Sequence, residues 1–182
     1  MKPFLTSLFL LALLISARAE DQPWSEIVSG LRARLSMERE KDSPFLKVFL
    51  EIQNTSDVAG IKTIRFTPDS IAPVVTNKAG EELQRTGGVY DGISPNWTPL
   101  KLPFEGTMRF RISFPGLGYN PKRDKTIVDL GPLHSWSLPE EGAWFLSATL
   151  KIDGKDGDHP SMDWSGTLFL PKVSIPQTNP VE

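Results

Sequence analysis

The residue types that do chemistry are few in this chain, and their spacing suits little of it. Four acids gather in one stretch, Asp153, Asp156, Asp158 and Asp163. Calcium takes roughly six to eight hard oxygen ligands, and the run DGKDGD resembles the start of a cation loop. An EF-hand wants acids at positions 1, 3 and 5, Gly at 6 and Glu at 12. Counted from Asp153, position 3 is Lys155 and position 5 is Gly157. The stretch Asp153–Asp163 is therefore read as a polar hairpin turn. His134 and His159 are the only histidines, and there is no cysteine. Zinc needs three or four ligands at defined spacing, so no metal site is assigned. No Gly-x-Ser-x-Gly elbow offers a nucleophile. Gly116-Leu117-Gly118 is followed by Pro121, which blocks the helix a phosphate-cradling loop requires. The chain is read as non-enzymatic and without a cofactor. An enzyme built on an unrecognised Asp/His site is the alternative that these residues leave.

Recognition chemistry is better represented. There are five tryptophans. Trp144 and Trp164 have strand-like apolar neighbours and belong in a core. Trp97 and Trp136 fall in loop-like stretches, as does Tyr90, so Tyr90, Trp97 and Trp136 are the candidate binding residues, although the preferred reading of Trp97 and Trp136 is that they cap one end of the core. Flat loop aromatics of this kind suit a carbohydrate-binding module. Two Arg-x-Arg pairs, Arg32/Arg34 and Arg109/Arg111, lie on the outward side of strand-like stretches. Should their strands adjoin, they would form a basic stripe able to take a carboxylate or sulfate polymer, but the preferred reading of the pairs is a solvated sheet face. The expected partner is another envelope protein or a polysaccharide.

The elements that would hold these residues are strands. Trp144–Ile152 alternates cleanly, with Trp144, Leu146, Ala148, Leu150 and Ile152 on one side and Phe145, Ser147, Thr149 and Lys151 on the other. That is the period of a half-buried strand. Leu31–Met37, Leu46–Ile52 and Thr107–Phe114 repeat it. Gly60–Phe66 has an imperfect period that suggests an edge or a bulge. Val74–Thr76 and Glu82–Gln84 flank Asn77–Gly80, a hairpin signal. Arg85–Gly106 is irregular and proline-rich, and long loops in compact domains are often functional. Ile127–Leu130 is a short strand, and Trp164–Ile175 is a last strand interrupted by Pro171. Eight or nine short strands and no convincing helix after residue 19 predict an all-β antiparallel sandwich of immunoglobulin or fibronectin type III style. A single domain is expected over residues 20–176, with 177–182 a polar tail.

Residues 1–19 read as a cleavable export signal. Lys2 opens the segment, an apolar run follows, and Ala17-Arg18-Ala19 supplies a small-x-small site, placing cleavage between Ala19 and Glu20. The run is too short to span a bilayer. Losing Lys2 and Arg18 leaves 18 basic and 22 acidic side chains, a balance of −4. That excludes the basic footprint of a nucleic-acid binder and argues against adhesion to anionic membrane. An exported chain without cysteine points to a bacterial envelope or secreted protein. In a eukaryote, Asn54-Thr55-Ser56 and Asn96-Trp97-Thr98 would be glycosylation acceptors.

The opening Trp24-Ser25-Glu26-Ile27-Val28-Ser29-Gly30-Leu31-Arg32-Ala33-Arg34-Leu35 resembles that of secreted bacterial immunoglobulin-like modules, where a Trp-Gly-Glu-x-Val-x-Gly-Leu-x-Ala-x-Leu stretch precedes a strand. The Asn54–Asp57 turn after a second strand, and the pair Gly142–Leu150 and Trp164–Leu170, are also similar. Such modules stand alone or follow sensor-type metallopeptidase domains. Ser25 departs from the usual Gly. The resemblance implies a fold and an extracytoplasmic location, and it carries over no functional residue.

Overall fold

A computed structural model describes residues 22–39, 43–56, 60–86, 98–113, 126–131, 134–153 and 164–177. Among them the chain forms ten strands: β1 (Leu31–Arg39), β2 (Leu46–Asn54), β3 (Lys62–Phe66), β4 (Ile71–Asn77), β5 (Thr98–Leu102), β6 (Thr107–Arg111), β7 (Thr126–Asp129), β8 (Ser135–Leu138), β9 (Trp144–Ile152) and β10 (Gly166–Ser174). One 3-10 turn, Pro68–Ser70, is the only helical element among the described residues, and none of them forms a helix long and apolar enough to cross a membrane.

Two three-stranded antiparallel sheets supply the core. The first has the order β1-β2-β6 and the second β10-β9-β4. β1 and β2 form a hairpin whose register runs from Leu31 opposite Asn54 to Arg39 opposite Leu46. Leu31, Ala33 and Leu35 on β1 and Leu46, Val48, Leu50 and Ile52 on β2 are all buried, as the period of two requires. On β9, Leu146, Ala148, Leu150 and Ile152 are buried and join the same apolar cluster. β10 pairs with β9 through a register shift between Leu170 and Val173. Pro171 sits in that bulge on an edge strand, where a missing N–H removes no ladder bond. Two antiparallel ribbons, β3–β5 and β7–β8, complete the described strands.

Two strands lie where the sequence suggested loops. β5 falls inside the proline-rich Arg85–Gly106 stretch, with Pro99 opposite Arg65 on a two-stranded ribbon that tolerates proline at its edge. β8 carries Trp136 opposite Val128, and its four residues are too few to announce an alternation beside Gly131-Pro132. The Asn77–Gly80 hairpin forms as expected, closed by the Thr76–Glu82 bridge and by the Leu83 amide donating to the Val75 carbonyl at 2.9 Å.

Asn54 ties these parts together. Its side chain is fully buried. The amide nitrogen donates to the carbonyls of Leu102 at 3.2 Å and Pro103 at 3.1 Å. The amide oxygen accepts from the Ser56 N–H at 3.2 Å and its hydroxyl at 2.6 Å. Its own N–H donates to Gly106, and the neighbouring Thr55 N–H donates to Gly30. Gly30 has φ +77°, and a Cβ there would stand 2.9 Å from the Ser56 Cβ, so this close approach needs glycine. The folded chain leaves no room for a glycan on Asn54, and Asn96 lies outside the described residues. Asn54→Ala removes donors from two carbonyls at the β5–β6 corner and an acceptor from Ser56. It should lower unfolding free energy by about 2–4 kcal/mol, read as a fall in urea midpoint at constant slope. Asn54→Asp should cost at least as much, because a carboxylate would face the same carbonyl oxygens.

Candidate functional site

The outward side of the first sheet is where the sequence's charged residues come together. β2 lies between β1 and β6, so both Arg-x-Arg pairs share one face. Its rows follow from the register. Arg32, Gln53 and Thr107 stand across the three strands, then Arg34, Glu51 and Arg109, then Ser36, Phe49 and Arg111, and finally Glu38 beside Lys47. Five basic and two acidic side chains give this face a surplus of three positive charges on a chain whose net charge is −2.

Glu51 organises the middle row. It is 8% exposed although it points away from the core. Arg34 covers it from one side, with Nη2 at 2.9 Å and Nε at 3.0 Å from Oε2. Arg109 Nε lies 3.3 Å from Oε1 on the other side. The Ser36 hydroxyl donates to the same oxygen at 3.1 Å. Buried carboxylates persist only when ion-paired and hydrogen-bonded, and Glu51 is both.

The arginines also rest on aromatic rings. The guanidinium carbons of Arg32 and Arg34 lie 4.7 and 4.4 Å from the centroid of Trp24. That of Arg109 lies 3.6 Å from the Phe49 centroid. Guanidinium groups stack favourably on π faces. Trp24 belongs to the lead-in, which is fixed along β1 by the Ser25 N–H donating to the Ala33 carbonyl at 2.8 Å and the Ala33 N–H to the Ser25 hydroxyl at 3.0 Å. Arg32 donates from Nε to Gln53 at 2.8 Å, and Arg111 from Nε to the Ser113 hydroxyl at 2.9 Å. Among the described residues neither has a hydrogen-bond partner for its terminal nitrogens.

The candidate aromatics fare differently. Tyr90 and Trp97 lie outside the described residues. Trp136 lies on a strand and not in a loop. It is 1% exposed and sits on β8 with its Nε1 donating to the Leu83 carbonyl at 3.1 Å. His134 stacks against it with centroids 6.3 Å apart, and the Arg85 guanidinium lies 5.9 Å from its ring. Trp164 is buried, as its apolar neighbours implied, and donates to the Val28 carbonyl at 2.9 Å. Trp144 is partly buried and packs against the core. Sequence reasoning missed Trp24, because the lead-in has no strand period. It also missed Glu51 as a centre, although the sequence already placed it outward on a strand.

Other chemistry is sparse. Asp153 is exposed and pairs with Lys151 at 3.3 Å, while Asp156, Asp158, His159 and Asp163 lie outside the described residues. Among the described residues no three acids or histidines converge on a metal position. A cavity of about 500 Å³ is lined by Phe145, Lys78, Lys172, Asn77, Ser174 and the lead-in, with no carboxylate or histidine. Burial holds the His134 imidazole below its ordinary value, helped by the nearby Arg85 cation and opposed by Asp69. Burial likewise raises the Asp129 carboxyl, against the Gly131 N–H that donates to it at 3.0 Å. Comparison with known protein families, with curated proteins and with solved structures finds no match in any of the three.

Two outcomes follow from this geometry. Glu51→Ala leaves two guanidinium groups facing each other without their shared carboxylate. It should destabilise the fold by about 1–3 kcal/mol, and a double-mutant cycle with Arg34→Met should recover part of that loss. His134 has a lowered folded value, so its neutral form supports the fold above the unfolded value of 6.5. As pH falls from there through the folded value, the unfolded chain binds the proton more readily and stability drops. His134→Gln should flatten this part of the Tm profile between about pH 7 and 5. Asp129, with its raised value, acts with opposite sign in the lower, carboxylate range.

Proposed function

We propose that this chain is a secreted or periplasmic, non-enzymatic β-sandwich of immunoglobulin or fibronectin type III kind that binds an acidic polysaccharide through the outward face of β1-β2-β6. The charge surplus of that face is the observation that carries the reading. Arg32 and Arg111 add a constraint on ligand size. They stand at diagonal corners of the three-stranded face, separated by four residues along the strands and two strand spacings, about 16 Å in an ideal sheet. Two acidic groups that far apart belong to a polymer, not to a small anion. Trp24 and Phe49 lie against the guanidinium groups of Arg32, Arg34 and Arg109 and help to fix them on this face. The export sequence over residues 1–19 supports the location, and the two core sheets and the similarity of the Trp24–Leu35 opening support the fold.

The test is affinity electrophoresis of the chain from Glu20 through gels containing polygalacturonate or dextran sulfate. Retardation should appear at low salt and vanish in concentrated NaCl. Arg32→Ala/Arg111→Ala should weaken it about tenfold, while Tyr90→Ala/Trp97→Ala should leave it unchanged. Retardation that survives the arginine pair and is lost with Tyr90 and Trp97 would move the site to the 87–97 stretch and overturn the assignment to this face.

A further inference from the structure

The cavity beside the lead-in is built from parts of the chain that lie far apart in sequence. Lys78 stands on the turn after β4, Phe145 on β9, and Lys172 and Ser174 on β10, while Gln22 closes it from the lead-in. Its volume is about 500 Å³, within the range of roughly 300–1,000 Å³ that holds small ligands. The fold fixes each wall. Strict alternation from Leu168 and Leu170 would send Lys172 into the core. The register shift between Leu170 and Val173 sets Pro171 and Lys172 together against Ser147, so Val173 is buried and Lys172 is exposed. Ser174 lies opposite Phe145, which puts the hydroxyl and the ring in one row. The turn that carries Lys78 is closed by the Gly80 N–H donating to the Asn77 carbonyl at 3.1 Å. The Asn77 side chain braces it further, donating from Nδ2 to the Glu81 carboxylate at 2.7 Å and accepting from the Glu81 N–H at 3.0 Å. Gln22 is tethered by its carbonyl, which accepts from Arg34 Nη1 at 3.2 Å.

The lining has the chemistry of an anion site with a wall for a sugar ring. Lys78 and Lys172 bring two positive charges to one cavity, and among the described residues neither ammonium group has a carboxylate partner. The acid on the same turn, Glu81, is engaged with Asn77 and does not line the cavity. Phe145 is the aromatic residue of the lining and is half-buried, with the amide and hydroxyl groups of Asn77, Gln22 and Ser174 around it. An aromatic face packs against the C–H side of a pyranose, and amide and hydroxyl groups match its hydroxyls. The lining holds no arginine fork and no helix N-terminus, the devices that single out phosphate. Five polar residues about one ring suit a hydroxylated acid better than an apolar one. We propose that this cavity binds a single uronic-acid unit, its carboxylate between Lys78 and Lys172 and its ring against Phe145. A free sugar acid and the end of a polymer present the same chemistry to these residues. The site is separate from the β1-β2-β6 face and does not require that face to bind a polymer.

The test is an amide NMR titration of the nitrogen-15-labelled chain from Glu20 with galacturonate, and with galactose as the neutral control. Galacturonate should shift the amides of Lys78, Phe145, Lys172 and Ser174 with a dissociation constant of about 1–10 mM, and galactose should bind at least about tenfold more weakly. Lys78→Gln and Lys172→Gln should each weaken galacturonate about fivefold, and the two together should abolish the shifts. Both lysines are exposed, so the rest of the spectrum should stay unchanged and report an intact fold. Digalacturonate separates the two sources. Tighter binding than galacturonate at the same amides assigns the end of a polymer, and equal or weaker binding assigns the free acid. No saturable shift at these amides, equal binding of galactose, or shifts that survive the double substitution overturns the site. Arg32→Ala/Arg111→Ala should leave these shifts unchanged, so failure of this site and failure of the sheet-face reading are read from different residues.

Discussion

Everything in this fold depends on one apolar layer that no covalent bond reinforces. The chain has no cysteine, so burial holds the first and second sheets together, helped by hydrogen bonds such as Arg39 to the Pro176 carbonyl and Trp164 to the Val28 carbonyl. The central strands β2 and β9 carry that load, with Leu50, Ile52, Leu146 and Leu150 each almost wholly removed from water. Side chains on a strand alternate with a period of two. A slip of one residue on β2 would place Phe49 and Glu51 in the core and Leu50 in solvent. The cost of that slip fixes the register, and the register fixes the outward rows. The position of Glu51 between Arg34 and Arg109 is thus a consequence of hydrophobic packing on the opposite side of the same strand.

Two arginines on β1 show how differently one residue type can be accommodated. Arg34 meets a carboxylate, a backbone carbonyl of Gln22 at 3.2 Å and the Trp24 ring. Its charge is neutralised, and its stem covers the strand. Arg39, at the other end of β1, meets only neutral oxygens among the described residues. A neutral oxygen supplies a hydrogen bond but no opposing charge, and the low-dielectric surroundings make that difference larger than it would be in water. The first arrangement builds a surface that is finished in the folded chain. The second leaves a gap in the electrostatics at the end of the molecule.

The sequence displays the long strands because each has one dry and one wet side. β1, β2 and β9 were legible almost to the residue, since nine-residue alternations have few competing readings. The ribbons were not. β5 is disguised by Pro99, which penalises a central strand but not the edge of a two-stranded ribbon. β8 is four residues long, and its Ser-Trp-Ser-Leu alternation is visible only once β7 stands beside it. The tryptophans mislead for the same reason. Trp136 lies next to turn residues yet is buried by β7 and the 83–86 segment, whereas Trp24 lies in an unpatterned lead-in yet forms half of a cation stack. Burial of an aromatic depends on neighbours distant in sequence, and spacing does not report them. The Arg-x-Arg pairs were legible as outward residues. That they share a face required knowing that β1 and β6 flank β2.

The two sheets also differ at their edges and in what their outward faces present. β1 has its free edge occupied by the lead-in, through Ser25 and the Val28–Leu31 bridge. β10 has only its bulge and Pro171, devices that discourage pairing with another strand. The outward face of the second sheet sets Ala72, Thr149 and the exposed Phe169 in one row, with Lys151 beside Asp153 further along β9 and Lys172 in the β10 bulge. The first face is charged and already braced. Gln53 and Trp24 hold Arg32 in place, and the Ser113 hydroxyl holds Arg111. Rotamer freedom lost on folding is not lost again on binding, so a braced cation binds at a smaller entropic cost than a free one. The charged outward rows are therefore preorganised, whereas the row through Phe169 offers apolar area without fixed polar groups to set orientation. Recognition of a repeating acidic polymer needs fixed charge at fixed spacing, and among the described surfaces the lead-in, β1, β2 and β6 together supply it.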